Sequence, residues 1–342
     1  MTANLNRFNA LEKLGEYLRN CDFEKPLYFD LQDKISQAIA ANGWFTQETI
    51  LNALSAWGKV LTKEALSIWI KPHHFSIQSQ PKTIALILAG NIPLVGFHDL
   101  ISVWISGHQA LVKCATKDEF LIPFLAELLE KEAGEKGFRF TKKTLVQYDA
   151  VIATGSTNSS RYFEYYFSKY PHIIRKNRNG VAVLDGTETE TDLKGLGKDI
   201  LQYYGLGCRN ISKLYLPKGY DLNLIFGGLY ELAEVIHHRK YANNYDYNKA
   251  VYLMSEYDFL ENGFILLRAH HTFSAPIACL HYEYYTNLEE LKQELSNHKE
   301  QIQCIVSNCA IANKIPFGKT QEPKLEDYAD GINTLRFLEK LS

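Results

Sequence analysis

Cysteine is scarce in this sequence, and its spacing shows no pattern. The six cysteines stand without the paired Cys-x-x-Cys spacing of a zinc site and without the ladder of a disulfide framework. We therefore expect no bound metal. Scattered thiols are also typical of proteins that remain in a reducing compartment.

Long apolar runs and an excess of charge are missing as well. No run approaches the roughly 20 residues that span a membrane, and the first residues lack the basic-then-apolar pattern of a signal peptide. The 37 basic and 39 acidic side chains give a net charge of -2, which favours neither nucleic acid nor an anionic membrane as a partner. We expect a cytoplasmic protein.

Apolar residues are abundant and are arranged first with a helical period. A hydrophobic fraction of 46% in 342 residues is enough for a sizeable core and for two domains. From Leu5 to Leu18 apolar residues recur at steps of three and four, which predicts an amphipathic helix. The same period continues through residues 31–60. A polar stretch at 71–82 then indicates a boundary.

From residue 83 the pattern changes to alternating strands and helices. Residues 83–89 form a continuous apolar run, which is typical of a strand buried on both faces. Further strands are predicted at 110–114, 145–148 and 150–153, with helices between them. Such alternation predicts a parallel α/β sheet. The strands predicted in the rest of the chain are 181–185, 211–216, 264–268, 278–285 and 302–306.

Three polar groups of residues fall where predicted strands end, at 90–91, 113–116 and 154–158. Ligands of parallel α/β sheets bind at the carboxyl ends of the strands. Gly155, Ser156 and Thr157 open a predicted helix, where backbone N–H groups suit a pyrophosphate. The same residue types cap helices for purely structural reasons, and the sequence does not separate the two interpretations. The spacing matches neither the dinucleotide fingerprint nor a P-loop.

One cysteine stands in a distinctive setting. Residues 205–210, Gly-Leu-Gly-Cys-Arg-Asn, lie between an amphipathic run at 193–204 and a strand-like run at 211–216. Two glycines allow a tight turn that presents the thiol of Cys208 to a ligand. Most cysteines are nevertheless inert packing residues, so the spacing alone leaves Cys208 either a nucleophile or a buried thiol.

Taken in order, these motifs resemble those of the aldehyde dehydrogenase superfamily. The series consists of residues 90–94 (Gly-Asn-Ile-Pro-Leu), Lys113, residues 154–157 (Thr-Gly-Ser-Thr), Cys208 and residues 316–318 (Pro-Phe-Gly). Within that superfamily, the acyl-CoA reductases of the LuxC type carry motifs similar to those at residues 89–94, 205–210 and 327–331. The resemblance runs from about residue 80 to the end of the sequence.

The resemblance implies an α/β fold of the aldehyde dehydrogenase type, with a Rossmann-like nucleotide domain and an α/β catalytic domain. We expect four segments along the chain. They are an N-terminal helical segment that packs on the nucleotide domain (1–80), the nucleotide-binding domain (81–185), the catalytic domain with the cysteine (186–315) and a C-terminal tail (316–342).

The resemblance also implies roles for individual residues. Cys208 corresponds to the nucleophile, and Asn91 corresponds to the asparagine whose amide forms the oxyanion hole with the backbone N–H of the cysteine. Lys113 corresponds to the lysine that holds the adenosine ribose. The turn at residues 155–157 corresponds to the one that lies against the pyrophosphate.

Three departures from the family pattern refine the prediction. Hydrolytic aldehyde dehydrogenases carry a glutamate that activates water, but the corresponding residues 173–180 contain no carboxylate. A thioester on Cys208 would then lack a base for its hydrolysis, which suits an enzyme that exchanges acyl groups with thiols. Residues 272–276 lack the glutamate that touches the nicotinamide ribose, so the nicotinamide must be positioned differently. Thr116 stands where NAD-preferring relatives often carry a glutamate, which favours NADPH.

We therefore predict NADPH-dependent reduction of an acyl-CoA, or of an acyl-protein thioester, to the aldehyde through an acyl group on Cys208. CoA enters as part of the substrate. Two alternatives remain open. The missing glutamates motivate a non-catalytic homologue that binds nucleotide or an acyl carrier, and the pairs His237-His238 and His270-His271 would serve a cysteine hydrolase or thioesterase. The sequence leaves open whether the chain forms a homo-oligomer.

Overall fold

The computed structural model describes residues 2–75 and 81–341 of the chain. Residues 76–80, within the polar stretch predicted as a boundary, lie outside the described residues. The chain divides into two compact units, one built from residues up to 176 together with those from 324 onwards, and the other from residues 177–323. No helix in the described ranges has the length and apolar character needed to cross a membrane.

Four helices open the first unit, in agreement with the predicted N-terminal helical segment. They are α1 (Thr2–Arg19), α2 (Phe29–Ala41), α3 (Gln47–Val60) and α4 (Lys63–Ile70). Thr46 starts α3, because its hydroxyl accepts the backbone N–H of Thr49 at 3.2 Å and satisfies a donor that the helix itself cannot. Each helix buries an apolar stripe, and the fully buried members include Leu11, Leu31, Ile50 and Leu66.

A five-stranded parallel sheet forms the centre of the first unit, in the order β3-β2-β1-β4-β5. The strands are β1 (Thr83–Ile87), β2 (Gln109–Lys113), β3 (Phe138–Phe140), β4 (Ala150–Thr154) and β5 (His172–Arg175). The connecting helices are α5 (Phe97–Ile105), α6 (Leu121–Ala133) and α7 (Thr157–Phe167). β1 lies between β2 and β4, so the strand order reverses at β1 and the carboxyl ends of these three strands lie side by side.

One strand predicted in this unit, at residues 145–148, is wrong. Residues 145–148 are not a strand, because Gln147 adopts a left-handed conformation with a φ of 60° and Val146 points into solvent. One edge of the sheet is formed by β3, which the sequence did not predict and which pairs with β2 through Phe138 and Phe140.

The second unit contains a six-stranded sheet in the order β11-β6-β7-β10-β9-β8. The strands are β6 (Asn179–Val183), β7 (Ile211–Pro217), β8 (Leu260–Glu261), β9 (Leu266–Ala269), β10 (Cys279–Tyr285) and β11 (Ile302–Ser307). Only the short β8 is antiparallel to its neighbour among these pairs. The helices are α8 (Glu190–Leu201), α9 (Asn223–Leu229), α10 (Arg239–Met254) and α11 (Leu288–Asn297). The passage from the first sheet to the second falls between Arg175 and Asn179, whereas the sequence placed the change at 185 and 186.

α10 was not predicted, because tyrosines rather than aliphatic residues form its inner face. Tyr241, Tyr245 and Tyr252 are buried along it, and the hydroxyl of Tyr241 donates to the carbonyl of Phe264 at 3.0 Å. A tyrosine at helical spacing can be buried in this way only if its hydroxyl finds a partner, and the sequence does not show such partners.

The C-terminal segment belongs to the first unit and ends with α12 (Thr334–Glu339). A buried ion pair holds it, since the guanidinium of Arg175 contacts both carboxylate oxygens of Asp99 at 2.6 and 2.9 Å. The same guanidinium donates to the carbonyl of Ala329 at 2.7 Å and to the hydroxyl of Thr334 at 2.8 Å. Arg175 therefore has a structural role in the first unit.

Candidate active site

Cys208 lies in the turn that joins α8 to β7 in the second unit. Tyr203, Tyr204 and Gly205 have φ values of 54, 59 and 73°, so three left-handed residues in succession reverse the chain before it reaches the thiol. Two of the three carry side chains, and a left-handed conformation costs such residues roughly 1–2 kcal/mol each. The surrounding contacts must therefore hold the turn in place.

The side chain of Asn210 provides much of that restraint. It is 3% exposed, and its amide nitrogen donates to the carbonyls of Asp199 (3.0 Å), Ile200 (3.3 Å) and Gln202 (2.7 Å). Its amide oxygen accepts the backbone N–H of Gly207 at 2.9 Å. One buried side chain thus joins the end of α8 to the residue directly before Cys208.

A close backbone approach reinforces this arrangement from β6. The N–H of Gly180 donates to the carbonyl of Asn210 at 3.1 Å. A Cβ atom at position 180 would lie 2.6 Å from that same carbonyl oxygen. Only glycine allows the strand to come this close to the turn.

The segment at 316–318 also meets this end of α8. The buried carboxylate of Asp199 accepts the N–H of Gly318 at 2.6 Å and both the N–H and the hydroxyl of Thr320, at 3.0 and 2.8 Å. The guanidinium of Arg209 donates to the carbonyl of Thr320 at 2.6 Å. A Cβ on Gly195 would lie 2.9 Å from the backbone of Phe317. The structure therefore brings two sequence motifs, 205–210 and 316–318, to the same helix.

Cys208 is the half-buried thiol of this turn, and the other five cysteines have environments that disfavour a thiolate. Burial raises the pKa of the thiol at Cys21, Cys114, Cys279, Cys304 and Cys309. For Cys114 and Cys304 the pKa rises to about 12, which leaves essentially no thiolate at neutral pH. Cys304 lies next to the turn, with its sulfur 3.6 Å from the carbonyl oxygen of Arg209.

In the first unit, Asn91 is exposed on a loop that follows β1. Asn42, which follows α2, donates its side-chain N–H to the carbonyl of Gly90 at 3.1 Å. Further along the loop Leu94 is left-handed, with a φ of 61°, and its N–H donates to one carboxylate oxygen of Asp118 at 3.3 Å. We refer to residues 90–94 as the Asn91 loop.

Asp118 is an unusual support for that loop. Its side chain is 1% exposed, and its second carboxylate oxygen has no hydrogen-bond partner in the part of the chain that the structure describes. Burial raises the pKa of Asp118 to about 7. The Asn91 loop is therefore held by a buried acid that can change its charge near neutral pH.

The predicted cofactor residues also lie at the carboxyl ends of the strands of the first sheet. Lys113 is half-buried and pairs with Ile87 across β1 and β2, and Thr116 is exposed just after it. Ser156 caps α7, since its hydroxyl accepts the N–H of Ser159 at 3.3 Å. Thr157 is the first residue of α7. The sheet thus brings together the first-unit residues that the sequence singled out.

Gly155 comes directly before that cap and has no room for a side chain. A Cβ there would lie 2.8 Å from both the ring of Phe163 and the Cβ of Ser159. The turn therefore keeps its backbone bare at the start of an eleven-residue helix, which is the setting that favours an anion.

The histidine pairs fall in two different environments within the second unit. The ring of His238 stacks on that of Tyr204 with 4.1 Å between centroids. His270 and His271 stack on each other with 4.6 Å between centroids, and the carbonyl of His270 accepts a hydrogen bond from the buried Lys213. Neither environment holds three metal-ligating side chains suitably placed for an ion, and the described residues contain no such group elsewhere.

Sequence reasoning missed the residues that hold these loops. Nothing in the sequence points to a role for Asn42, Asp118 or Asp199, and Asn210 is visible only as the last residue of the motif at 205–210. The one local signal is at Asn42, because an asparagine followed by a glycine often ends a helix. Nothing local to the sequence shows that its amide reaches residue 90.

Comparison with known proteins identifies the architecture. No protein-family model and no curated protein matches the sequence. Aldehyde dehydrogenase 21 from Physcomitrella patens matches with a TM-score of 0.69 over 99% of this chain and 84% of its own, at 12% identity. The fold is that of the aldehyde dehydrogenases. An indole-3-acetaldehyde dehydrogenase in complex with NAD+ gives a TM-score of 0.66 at 12% identity, over 91% of this chain and 77% of its own. A mutant 1-pyrroline-5-carboxylate dehydrogenase of Thermus thermophilus gives a TM-score of 0.62 at 13% identity, over 98% of this chain and 80% of its own.

Proposed function

We propose that this protein reduces an acyl-CoA, or another acyl thioester, to the aldehyde with NADPH through an acyl group on Cys208. The supporting observation is the setting of that thiol. It lies half-buried on a turn that Asn210 and the close approach of Gly180 hold in place, in an aldehyde dehydrogenase fold. The LuxC-type resemblance of residues 205–210 and the missing glutamates favour acyl reduction over aldehyde oxidation.

The chain would supply the nucleophile and the stabilisation of developing charge. The thiolate of Cys208 attacks the thioester carbonyl, a new C–S bond forms, and the C–S bond to CoA breaks, so that CoA leaves as a thiolate and takes up a proton. We assign the side-chain amide of Asn91 to the oxygen on which negative charge develops. The turn held by Asn210 would keep the sulfur in place during both events.

The residues at the edge of the first sheet fit a dinucleotide. The bare backbone of Gly155, the cap at Ser156 and the start of α7 at Thr157 would hold the pyrophosphate, and Lys113 would hold the adenosine ribose. Thr116 leaves space and a donor for a 2′-phosphate. When bound, the cofactor supplies the hydride that reduces the acyl group.

The fate of the acyl-enzyme follows from what residues 173–180 contain. This segment contains no Asp or Glu, so it supplies no carboxylate base. Its basic side chains form ion pairs with acidic residues outside the segment, namely Arg175 with Asp99, Lys176 with Glu164 and Arg178 with Glu300. Loss of a positioned base typically slows a reaction by a factor on the order of 10² to 10⁴. Hydrolysis of the thioester should therefore be much slower than its reduction.

Incubation with an acyl-CoA in the absence of NADPH tests this directly. We expect a mass adduct of one acyl group on the tryptic peptide of residues 199–209, in which Cys208 is the single cysteine. Added CoA should remove the adduct, and added NADPH should convert it to aldehyde. Release of free fatty acid at a rate comparable to reduction would instead indicate a hydrolase, and absence of both adduct and aldehyde across chain lengths would indicate a non-catalytic binding protein.

A further inference from the structure

The carbonyl end of α8 lies beside the Cys208 turn. An α-helix leaves its last carbonyls without partners inside the helix, and its C-terminus carries the equivalent of roughly half a negative charge. Helix N-termini favour a cysteine thiolate, so a helix C-terminus next to a thiol should disfavour it. α8 ends at Leu201, and the chain returns to its last turn through Asn210, two residues after Cys208.

Asn210 occupies the position where it can counter this effect. Its two amide hydrogens are shared among the carbonyls of Asp199, Ile200 and Gln202, all at the end of α8. Its oxygen accepts the N–H of Gly207. Every polar atom of the side chain is used, and the group that caps the negative end of the helix carries no charge of its own.

Other ionisable groups also surround the turn, and they contribute to the electrostatic field at the thiol of Cys208. They include the phenols of Tyr203 and Tyr204 in the turn itself and the side chains of Asp199, Arg209, His238, Cys304 and Lys319 around it. The carboxylate of Asp199 is satisfied by residues 318–320, and Arg209 is directed to a backbone carbonyl. The side chain of Asn210 bonds to the backbone atoms of Asp199, Ile200, Gln202 and Gly207, so a substitution there removes none of the hydrogen bonds just named.

We propose that Asn210 is a positioning residue for Cys208, which holds the turn and screens the thiol from the negative end of α8. This inference rests on the proposed function only in taking Cys208 as the nucleophile. It identifies a specific requirement of the site, namely a neutral double donor two residues after the cysteine.

The pH dependence of alkylation of Cys208 by iodoacetamide tests the inference without any substrate. Mass spectrometry of the 199–209 peptide reports this thiol alone. Asn210→Asp replaces the donors by an acid, and we expect the pH at which Cys208 becomes reactive to rise by about one unit or more, which is about tenfold slower alkylation at neutral pH. Asn210→Ser, which removes most of the capping with little change in charge, should shift it in the same direction by less.

Asn248 offers a matched control. It is also a buried asparagine of the second unit, and its amide donates to the carbonyl of Ile277 at 2.9 Å, away from α8. Asn248→Asp should leave the reactivity profile of Cys208 unchanged. Circular dichroism establishes that each variant is folded. If both folded variants at position 210, or Asn210→Ser alone where Asn210→Asp does not fold, show the wild-type profile, the inference is overturned.

Turnover separates this inference from the proposed function. If the wild type reduces acyl-CoA, Asn210→Ser should lower kcat several-fold with little change in KM for the acyl-CoA. If the wild type reduces no acyl-CoA while the alkylation profile still shifts, the proposed function fails and the positioning role stands. A change in KM for the acyl-CoA without a change in kcat, together with a wild-type pH profile of Cys208 alkylation, would contradict the positioning role.

Discussion

The Cys208 turn of the second unit and the Asn91 loop of the first are built in similar ways but held by different chemistry. Both contain left-handed residues that carry side chains, and both are tied down by a buried polar side chain. Asn210 holds the turn through a neutral amide whose polar atoms are all bonded. Asp118 holds the loop through one carboxylate oxygen, while the other has no partner among the described residues.

This difference bears on how each loop responds to pH. An amide cannot ionise in the working range, so the turn should keep its geometry as the pH changes. A buried acid with a pKa of about 7 becomes charged under ordinary conditions, and a buried charge with an unpaired oxygen is costly. The role proposed for Cys208 requires a constant geometry, and the turn that carries it is held by a side chain that does not ionise.

The largest effect is expected from removing the thiol while keeping the turn. Cys208→Ser should lower acyl-CoA reduction by at least about 10³-fold, because loss of a nucleophile removes the covalent route. Binding of NADPH should persist, since the proposed cofactor residues lie elsewhere. Steady-state kinetics and fluorescence titration with NADPH measure the two quantities, and full activity in this variant would rule out the thioester route.

The next effect tests the ionisable support of the Asn91 loop. The folded pKa of Asp118, about 7, lies above its ordinary value near 4, so the unfolded chain loses this proton first as the pH rises. Stability is therefore unaffected below about pH 4, falls between about 4 and 7, and is level above that range. Asp118→Asn keeps an acceptor for the N–H of Leu94 and should be more stable than the wild type at pH 8, by roughly 2–4 kcal/mol.

Urea unfolding at several pH values checks this expectation. The advantage of Asp118→Asn should vanish near pH 4, where the wild-type acid is neutral in both states. Asn210→Asp makes the reverse exchange in the other loop, so its stability relative to the wild type should fall over the same pH range. A wild-type stability that is level between pH 4 and 8 would contradict the role given to Asp118.

Close packing behind the Cys208 turn gives a smaller effect. Gly180→Ala would place a Cβ 2.6 Å from the carbonyl oxygen of Asn210, and both strands must shift to accept it. We expect a loss of roughly 1–3 kcal/mol in stability and a lower kcat. Gly227→Ala in α9 is the control, because no atom lies within 4 Å of its Cβ. Equal stability of the two variants would show that the turn tolerates displacement.

The smallest expected effect concerns the cofactor edge of the first unit. Thr116→Glu should shift the ratio of kcat/KM for NADPH over NADH by about tenfold towards NADH, equivalent to about 1.4 kcal/mol, because it places a negative charge near the 2′-phosphate. Thr286→Glu, at an exposed threonine of the second unit, makes the same change in net charge as a control. A wild-type preference for NADH would refute the prediction of NADPH.

The sequence predicted the fold where local pattern determines it. The apolar runs at β1, β2 and β4 could be recognised because strands buried on both faces have no polar alternation. Cys208 was predicted to lie between a helix and a strand, and the structure confirms this position. The prediction was possible because a glycine turn between two periodic segments is also a local pattern. The functional roles of Cys208 and the cofactor residues stay predictions.

The features that could not be predicted either depend on long-range contacts or are formed by residues that are unusual for that type of element. The contacts of Asn42 with Gly90 and of Asp118 with Leu94 join distant positions, and residue periodicity carries no information about such pairs. β3 could not be predicted because it has only three residues and its pairing with β2 is a long-range contact. α10 was missed because its buried face is made of tyrosines.

The return of the C-terminal segment to the first unit sets an order of events during synthesis. The second unit is continuous in sequence, whereas the first unit cannot be completed until the residues from 324 onwards have been synthesised. At about 5–20 residues per second, the intervening residues 177–323 take roughly 7–30 s to synthesise. Throughout that interval Arg175 and Asp99 lack the contacts of Ala329 and Thr334, and the sites filled by Leu335 and Leu338 stay uncovered. The first unit therefore acquires the last part of its core only at the end of synthesis.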